Sequence, residues 1–227
     1  MEILPARRVA EGRPACKLIP PGVPSPPIDM KPLPFIWPQG IAFWAAYIWA
    51  FAPEFGVLRR AGQANRGARR AQDARSLQVI MLGMWIGLLI AFPIAFRPWF
   101  AIAGTARLVA YWGGTALLVA GSLLRRHCWR MLGSYFTGNV QTVENQRVID
   151  KGAYAYVRHP SYTAGMMMFT GIGFALGNWL SVAITFLSAA LVYTYRVRVE
   201  ERALVAALGA PYVEFMKTRK RFVPFVF

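Results

Sequence analysis

The longest run without a charged residue covers residues 161–195, and its length of 35 residues constrains the fold more than any other feature of the chain. A single helix of that length would reach roughly 52 Å at about 1.5 Å per residue, whereas the hydrocarbon core of a bilayer is about 30 Å thick. The run must therefore fold back on itself. Gly177 and Asn178 near its middle form the natural turn, with Trp179 beside them as an interfacial anchor. The sequence predicts two helices in a tight hairpin.

Three further uncharged runs precede the long one, at residues 32–53, 76–96 and 108–124. Each is close to the length of about 20 residues that spans a bilayer as a helix. A buried core helix of a soluble protein is the alternative for any one run. A chain of 227 residues with only 16% charged residues, however, has too little polar surface to cover all four runs. The sequence therefore predicts an all-α integral membrane protein with about five transmembrane helices.

The basic residues predict the partners and the orientation of the chain. Lys and Arg outnumber Asp and Glu by 26 to 10, which suggests either nucleic acid or an anionic membrane surface as partner. Here the basic residues lie between uncharged runs, which favours membrane lipids over nucleic acid. The basic segments 59–75, 125–160 and 196–227 all fall on one side of a five-span arrangement, and the positive-inside rule makes that side cytoplasmic. The N-terminus is then outside, unless the first span is re-entrant.

The chain divides into a proline-rich leader at residues 1–35, three membrane helices with a basic loop at 59–75 within residues 36–124, and a C-terminal core at 125–227. The core is expected to begin with a basic interfacial helix. Cys16 and Cys128 fall on opposite sides of the membrane, and two cysteines alone cannot make a zinc site. Neither a disulfide nor a metal is therefore predicted.

The first motif of the core is Arg158-His159-Pro160. A residue before proline avoids helical geometry, and proline suits the first turn of a helix, so a helix is predicted to begin at Pro160. Its N-terminus carries unpaired amide hydrogens and a partial positive charge, and with Arg158 beside it could bind a carboxylate or phosphate. The alternative is that Arg158 is only a topological anchor and His159 an interfacial side chain.

The second motif lies at the cytoplasmic end of the last span. Arg196 and Glu200 are four residues apart on one helix face, and Glu201 follows. The alternative is an ordinary surface ion pair, worth about 0.3–0.5 kcal/mol. A glutamate pair just beneath a bilayer is unusual in a chain with ten acidic residues. We expect the two motifs to face each other across the hairpin, where they would suit a zwitterionic ligand.

These motifs carry a family resemblance. The segments GAYAYVRHPSY at 152–162, LGAPYVEF at 208–215 and RFVPF at 221–225, with the uncharged hairpin and the EE pair, resemble the C-terminal region of isoprenylcysteine carboxyl methyltransferases and their bacterial relatives. Phospholipid N-methyltransferases share the RHP and EE elements. The longer glutamate run of the eukaryotic enzymes is absent, because Arg198 and Val199 occupy its place.

The resemblance implies a membrane-embedded methyltransferase that uses S-adenosylmethionine. The cofactor-binding residues that it implies are Tyr154, Arg158, His159, Pro160, Ser161, Glu200 and Gln141. Arg196 matches the arginine assigned to the acceptor carboxylate and is the predicted catalytic residue, with Tyr162 as a second substrate-binding residue. The expected acceptor is the carboxylate of a prenylcysteine-like or other lipophilic molecule, which enters from the bilayer and becomes a methyl ester. The expected location is a bacterial inner membrane with the site on the cytoplasmic side.

Other functions remain open at this point. A phospholipid amine or a small thiol could be the acceptor, and an amine would have to lose a proton to His159, Tyr154 or a glutamate. Sterol reductases share a related membrane architecture but have more spans than this chain can hold. A small transporter would predict ionisable residues within the spans, and residues 161–195 contain none. A membrane scaffold gives no reason for the two motifs to occur together.

Overall fold

The computed structural model describes residues 31–67, 74–133 and 148–223. Within these ranges the α-helices are α1 (Gln39–Gly67), α2 (Ala74–Ala95), α3 (Gly104–Leu132), α4 (Pro160–Leu176), α5 (Trp179–Leu208) and α6 (Ala210–Thr218). Short 3₁₀ turns at Leu33–Phe35 and Gly152–Ala155 precede α1 and α4. Extended pairing in the same ranges is limited to two isolated bridges. The regular secondary structure of the described ranges is therefore helical.

Three helices in the described ranges are long and apolar enough to cross a membrane, at Ser76–Ala95, Gly104–Leu132 and Trp179–Leu208. Their outer faces carry large apolar side chains that a soluble protein would bury: Leu89, Val109 and Leu191 are 68%, 68% and 70% exposed. This confirms the predicted fold class, an all-α integral membrane protein. The count of five spans and the sidedness of the termini stay predictions.

The turn between α4 and α5 lies where the sequence predicts it. Gly177 ends α4 with a φ of 71°, in the left-handed region that favours glycine, and its N–H donates to the carbonyl of Phe174 at 2.9 Å. Asn178 caps α5, because its side-chain oxygen accepts hydrogen bonds from the N–H groups of Leu180 and Ser181. The long uncharged run is therefore a helical hairpin.

Paired glycines join α3 to α4. A methyl group added at Gly114 would lie 2.5 Å from the carbonyl oxygen of Gly171, and one added at Gly171 would lie 2.5 Å from the carbonyl oxygen of Gly114. Small residues of this kind let membrane helices approach backbone to backbone. On its other side α4 packs against α5, which in turn packs against α2. Helix α4 is thus held between α3 and α5.

We expect Gly114→Ala to lower the thermal midpoint and Gly113→Ala to leave it unchanged or raise it. Both substitutions gain helix propensity of about 1 kcal/mol. A Cβ at Gly114 also lies 2.6 Å from the backbone nitrogen of Ala175, whereas nothing lies within 4 Å of a Cβ at Gly113. Overpacking of this kind costs about 1–3 kcal/mol. Thermal unfolding of both variants in one detergent measures the difference, and equal midpoints would contradict close packing of α3 and α4.

The first helix extends past the run that predicted it. α1 begins at Gln39 and continues through Pro53 to Gly67, so the first part of the predicted loop at 59–75 is helical. Residues 68–73 lie outside the described ranges. Proline is tolerated inside membrane helices because neighbouring groups satisfy the freed backbone carbonyl. Pro53 therefore does not mark the helix end.

The third helix also continues beyond its uncharged run. The predicted interfacial helix after Leu124 is the last part of α3, which runs unbroken to Leu132. Arginine side chains can extend their charged ends toward water while the helix continues, so a change in charge does not end a helix. Gly133, with a φ of 53°, ends it.

Candidate active site

The site is built around the N-terminus of α4, and the predicted helix start at Pro160 is confirmed. His159 is the N-cap residue, with a non-helical ψ of 56°, and Pro160 is the first residue of the helix. The side chains of Arg158 and His159 are only 9% and 5% exposed. These two basic side chains therefore lie inside the protein, against α5 and the residues after α6.

The residues that follow α6 run alongside this helix start. The N–H of Arg158 donates to the carbonyl of Lys220 at 2.8 Å, and the N–H of His159 donates to the carbonyl of Arg221 at 3.0 Å. We call residues 219–222 the C-terminal strap. It satisfies the backbone of the RHP motif with main-chain carbonyls and fixes the direction in which the motif enters α4.

Glu201 on α5 joins the RHP motif to the strap. One carboxylate oxygen, Oε1, lies 2.9 Å from Nη2 of Arg158 and 3.3 Å from Nε2 of His159. The other oxygen, Oε2, accepts hydrogen bonds from Nη2 and Nε of Arg221 at 2.9 and 3.1 Å. Glu201 is 4% exposed. A buried carboxylate with two guanidinium partners and an imidazole is a structural centre of the site.

Arg158 makes more contacts with the protein than the sequence suggested. Its Nη1 donates to the carbonyls of Met216 and Arg219 at 2.7 and 2.8 Å, in addition to the pairing of Nη2 with Glu201. Its Nε is buried and has no hydrogen-bond partner among the described residues. The guanidinium of Arg158 thus anchors the chain around α6, and Nε is the one nitrogen of this group that these contacts do not use.

Tyr162 links the two predicted motifs. Its hydroxyl donates to Oε2 of Glu200 at 2.6 Å and accepts from Nε of Arg196 at 3.4 Å. Its ring stacks between those of His159 and Tyr193, with centroids at 5.7 and 5.0 Å. The structure therefore brings the RHPSY and EE motifs into one network of contacts.

Arg196 reaches from α5 to α2. The residue is 4% exposed, and its Nη1 donates to the hydroxyl of Ser76. Together with the contact to Tyr162, this holds the guanidinium between three helices. Glu200, one turn further along α5, is half-buried. The buried guanidinium of Arg196 and the less buried carboxylate of Glu200 thus lie on one face of α5. The hydroxyl of Tyr162, on α4, contacts both of them.

The remaining predicted site residues are Tyr154, Ser161 and Gln141. Tyr154 lies in the 3₁₀ turn before α4, is 7% exposed, and has a phenol pKa raised by burial. Ser161 accepts a hydrogen bond through its carbonyl oxygen from Arg125 at 2.8 Å. Gln141 lies outside the described residues, as does Cys16, whereas Cys128 is buried with a free thiol.

Sequence reasoning favoured Glu200 and did not assign a role to Glu201. A signal for Glu201 was present, because Tyr193, Val197 and Glu201 repeat every four residues and therefore share a helix face. The first two are apolar and are 4% and 0% exposed. A glutamate that continues a buried apolar stripe needs a buried cationic partner. Arg158 is that partner.

The fold and the site define a class of protein. The chain is a helical membrane protein whose described polar site, where one helical hairpin meets the C-terminal strap, holds side chains of both charge signs. Within the described ranges no group of three or more His, Cys, Asp and Glu side chains could hold a metal ion.

One family model matches part of the chain. Residues 114–206 match the family model of the Isoprenylcysteine carboxyl methyltransferase (ICMT) family. The matched segment contains α4, the RHPSY motif and the EE pair. The predicted resemblance is therefore confirmed over this segment, whereas residues 208–225, which contributed to the prediction, lie outside it.

Curated relatives show the same resemblance. The Protein-S-isoprenylcysteine O-methyltransferase of Schizosaccharomyces pombe is 30% identical over 111 residues, which cover 48% of this chain and 47% of the relative. Protein-S-isoprenylcysteine O-methyltransferase B of Arabidopsis thaliana is 30% identical over 118 residues, which cover 50% and 58%. The chain spans about half the length of the curated relatives it matches.

One solved structure also aligns with the chain. It is the structure of the eukaryotic intramembrane Ras methyltransferase ICMT without a monobody. The alignment covers 68% of this chain and 54% of that chain, with 21% identity and a TM-score of 0.49.

Proposed function

We propose that the chain is an S-adenosylmethionine-dependent membrane methyltransferase. Its proposed acceptor is the carboxylate of a prenylcysteine-like or other lipophilic molecule, which becomes a methyl ester. The observation that carries the proposal is that one segment, residues 114–206, matches the ICMT family and contains both motifs, which contact each other through Tyr162 and Glu201. The names of the curated relatives support the same reaction.

The residues present fit the charges of S-adenosylmethionine, which has an ammonium, a sulfonium and a carboxylate. Glu200 offers a half-buried carboxylate to the cationic groups. Nε of Arg158 offers a buried donor at the N-terminus of α4, where an anion is favoured. The other proposed cofactor-binding residues are Tyr154, His159, Pro160, Ser161 and Gln141. When bound, the cofactor supplies an electrophilic methyl group.

The other task of the site residues is to orient the two reactants. A reacting pair has to be held about 3 Å apart and in line, and a large part of the barrier is removed by that alignment. A carboxylate is already ionised at neutral pH, so no general base is needed. Arg196 can orient it as a planar fork, and the contacts to Ser76 and Tyr162 fix the guanidinium. Tyr162 joins this acceptor side to Glu200 on the cofactor side.

The proposed location is a bacterial inner membrane with the site near its cytoplasmic face. The excess of basic residues in 125–160 and 196–227 supports this orientation. A soluble cofactor would then arrive from the cytoplasm. A lipophilic acceptor would enter sideways between the membrane helices, so its proposed route is through the bilayer.

We expect S-adenosylhomocysteine to raise the thermal midpoint of the purified full-length protein. A ligand that binds only the folded state stabilises it by about 2.7 kcal/mol at 100 times its Kd. ATP at the same concentration is the control, because it shares the adenosine group but lacks the amino acid. The proposal fails if neither S-adenosylmethionine nor S-adenosylhomocysteine moves the midpoint.

The acceptor class is tested by labelled-methyl transfer in detergent or nanodiscs. A farnesylated cysteine, phosphatidylethanolamine and a small thiol are supplied in parallel. We expect label on the prenylcysteine, in a product that base releases, because esters hydrolyse in base and methylamines and thioethers do not. Label on the phospholipid or the thiol alone would redirect the proposal to the corresponding N- or S-methyltransferase.

A further inference from the structure

A second, partly buried ion pair lies beside the site and is not part of the predicted motifs. Glu54 of α1 and Arg125 of α3 form two contacts, between Oε1 and Nε and, at 3.1 Å, between Oε2 and Nη2. Their side chains are 21% and 14% exposed. The ring of Trp129 covers the guanidinium with its centroid at 5.2 Å. The pair is therefore bidentate and largely shielded from solvent.

Arg125 has a third partner, and that partner belongs to the site. Its Nη1 donates to the carbonyl of Ser161 at 2.8 Å and lies 3.4 Å from the Ser161 hydroxyl. Ser161 is the second residue of α4, between His159 and Tyr162. One guanidinium thus connects a carboxylate on α1 with the first turn of α4, which carries Tyr162.

Arg125 orients the first turn of α4, whereas other contacts hold α3 and α4 together. Helices α3 and α4 already pack backbone to backbone through Gly114 and Gly171, so the arginine is not needed to hold them together. A buried ion pair contributes little net stability, because its replacement by apolar residues of similar volume often leaves the protein at least as stable. A planar guanidinium fixed by a bidentate carboxylate, however, gives its remaining nitrogen a definite direction.

We propose that Glu54 is a positioning residue: it fixes Arg125, which in turn sets the first turn of α4 and thereby the Tyr162 hydroxyl between Glu200 and Arg196. This inference rests on the proposed function for its catalytic meaning. It also extends the site beyond the family match, because Glu54 lies outside residues 114–206. The N-terminal half of the chain thus contributes directly to the geometry of the site.

The test replaces the pair in two ways in the full-length protein. Glu54→Gln keeps the size of the side chain but removes the charge that fixes Arg125. The double variant Glu54→Leu/Arg125→Met replaces the pair by apolar groups, which is expected to restore the thermal midpoint. Glu214→Gln is the control, because it breaks an exposed ion pair with Lys217 on α6. Each protein is measured for thermal midpoint, hydrogen exchange of residues 161–165 and the Kd of S-adenosylhomocysteine.

We expect the double variant to unfold near the wild-type midpoint while its first turn of α4 exchanges about tenfold faster and its Kd rises about tenfold. The control should match the wild type in all three measurements. If the midpoint, the exchange rate and the Kd of the double variant all match those of the wild type, the proposal is overturned. The ion pair then has a purely structural role. A double variant that does not fold would overturn it in the same way.

The exchange measurement keeps this inference separate from the proposed function. If the wild-type protein does not bind S-adenosylhomocysteine, the proposed function fails, but faster exchange in the first turn of α4 would still support the positioning role of Glu54. If the wild type binds and the exchange rates are equal, the positioning role fails alone.

Discussion

Glu201→Gln is expected to release the C-terminal strap from α4 and to lower the free energy of unfolding by about 3–5 kcal/mol. The carboxylate of Glu201 contacts Arg158, His159 and Arg221 and is 4% exposed. An uncharged amide of the same size leaves two guanidinium groups close together without their counter-charge. Removal of one partner from a buried ion pair is costly because the other charge stays buried and uncompensated.

Two measurements check this prediction. Thermal unfolding should show a lower midpoint, and trypsin should cleave at least about tenfold faster within the strap, at Arg219, Lys220 or Arg221, because cleavage follows the population of the open form. Glu200→Gln is a matched control: it is the neighbouring residue, it removes the same charge, and it should leave the strap protected. Equal cleavage of both variants would contradict the central role of Glu201.

The sequence was most informative where a local signal acts on the backbone. Gly177 and Asn178 fix the hairpin turn because one residue adopts the left-handed region and the other caps the next helix. Pro160 fixes the start of α4 because proline favours the first turn. These effects involve only neighbouring residues, so a single sequence is enough to predict them.

Contacts between distant segments could not be predicted in this way. Glu54 and Arg125 are 71 residues apart, and Arg158 and Arg219 are 61 residues apart. The ends of α1 and α3 were missed for a related reason. Their charged residues looked like loops or interfacial segments, but in the helix bundle a charge such as Glu54 meets a partner on another helix. Helix ends therefore depend on tertiary partners that the chain alone does not reveal.

Arg196→Ala is expected to reduce turnover by at least about 10²-fold and to leave the Kd of S-adenosylhomocysteine within about threefold of the wild type. Under the proposed function the guanidinium orients the acceptor, and a misplaced acceptor loses the advantage of alignment. Glu200→Gln should have the opposite effect, weaker cofactor binding, because it removes the carboxylate proposed to face the cationic groups of the cofactor. The two variants are measured by single-turnover methyl transfer and by calorimetric titration.

The contacts of Arg196 call for a second variant, because the side chain also holds Ser76 and Tyr162. Arg196→Lys keeps the charge but loses the planar fork, so it should fold like the wild type and still turn over slowly. Tyr162→Phe removes the link between Arg196 and Glu200 without a change in charge, and should reduce turnover less than Arg196→Ala. If Arg196→Ala instead weakened cofactor binding while Glu200→Gln spared it, the two roles would be exchanged: the guanidinium would bind the carboxylate of the cofactor, and the acceptor would have to be oriented by another group.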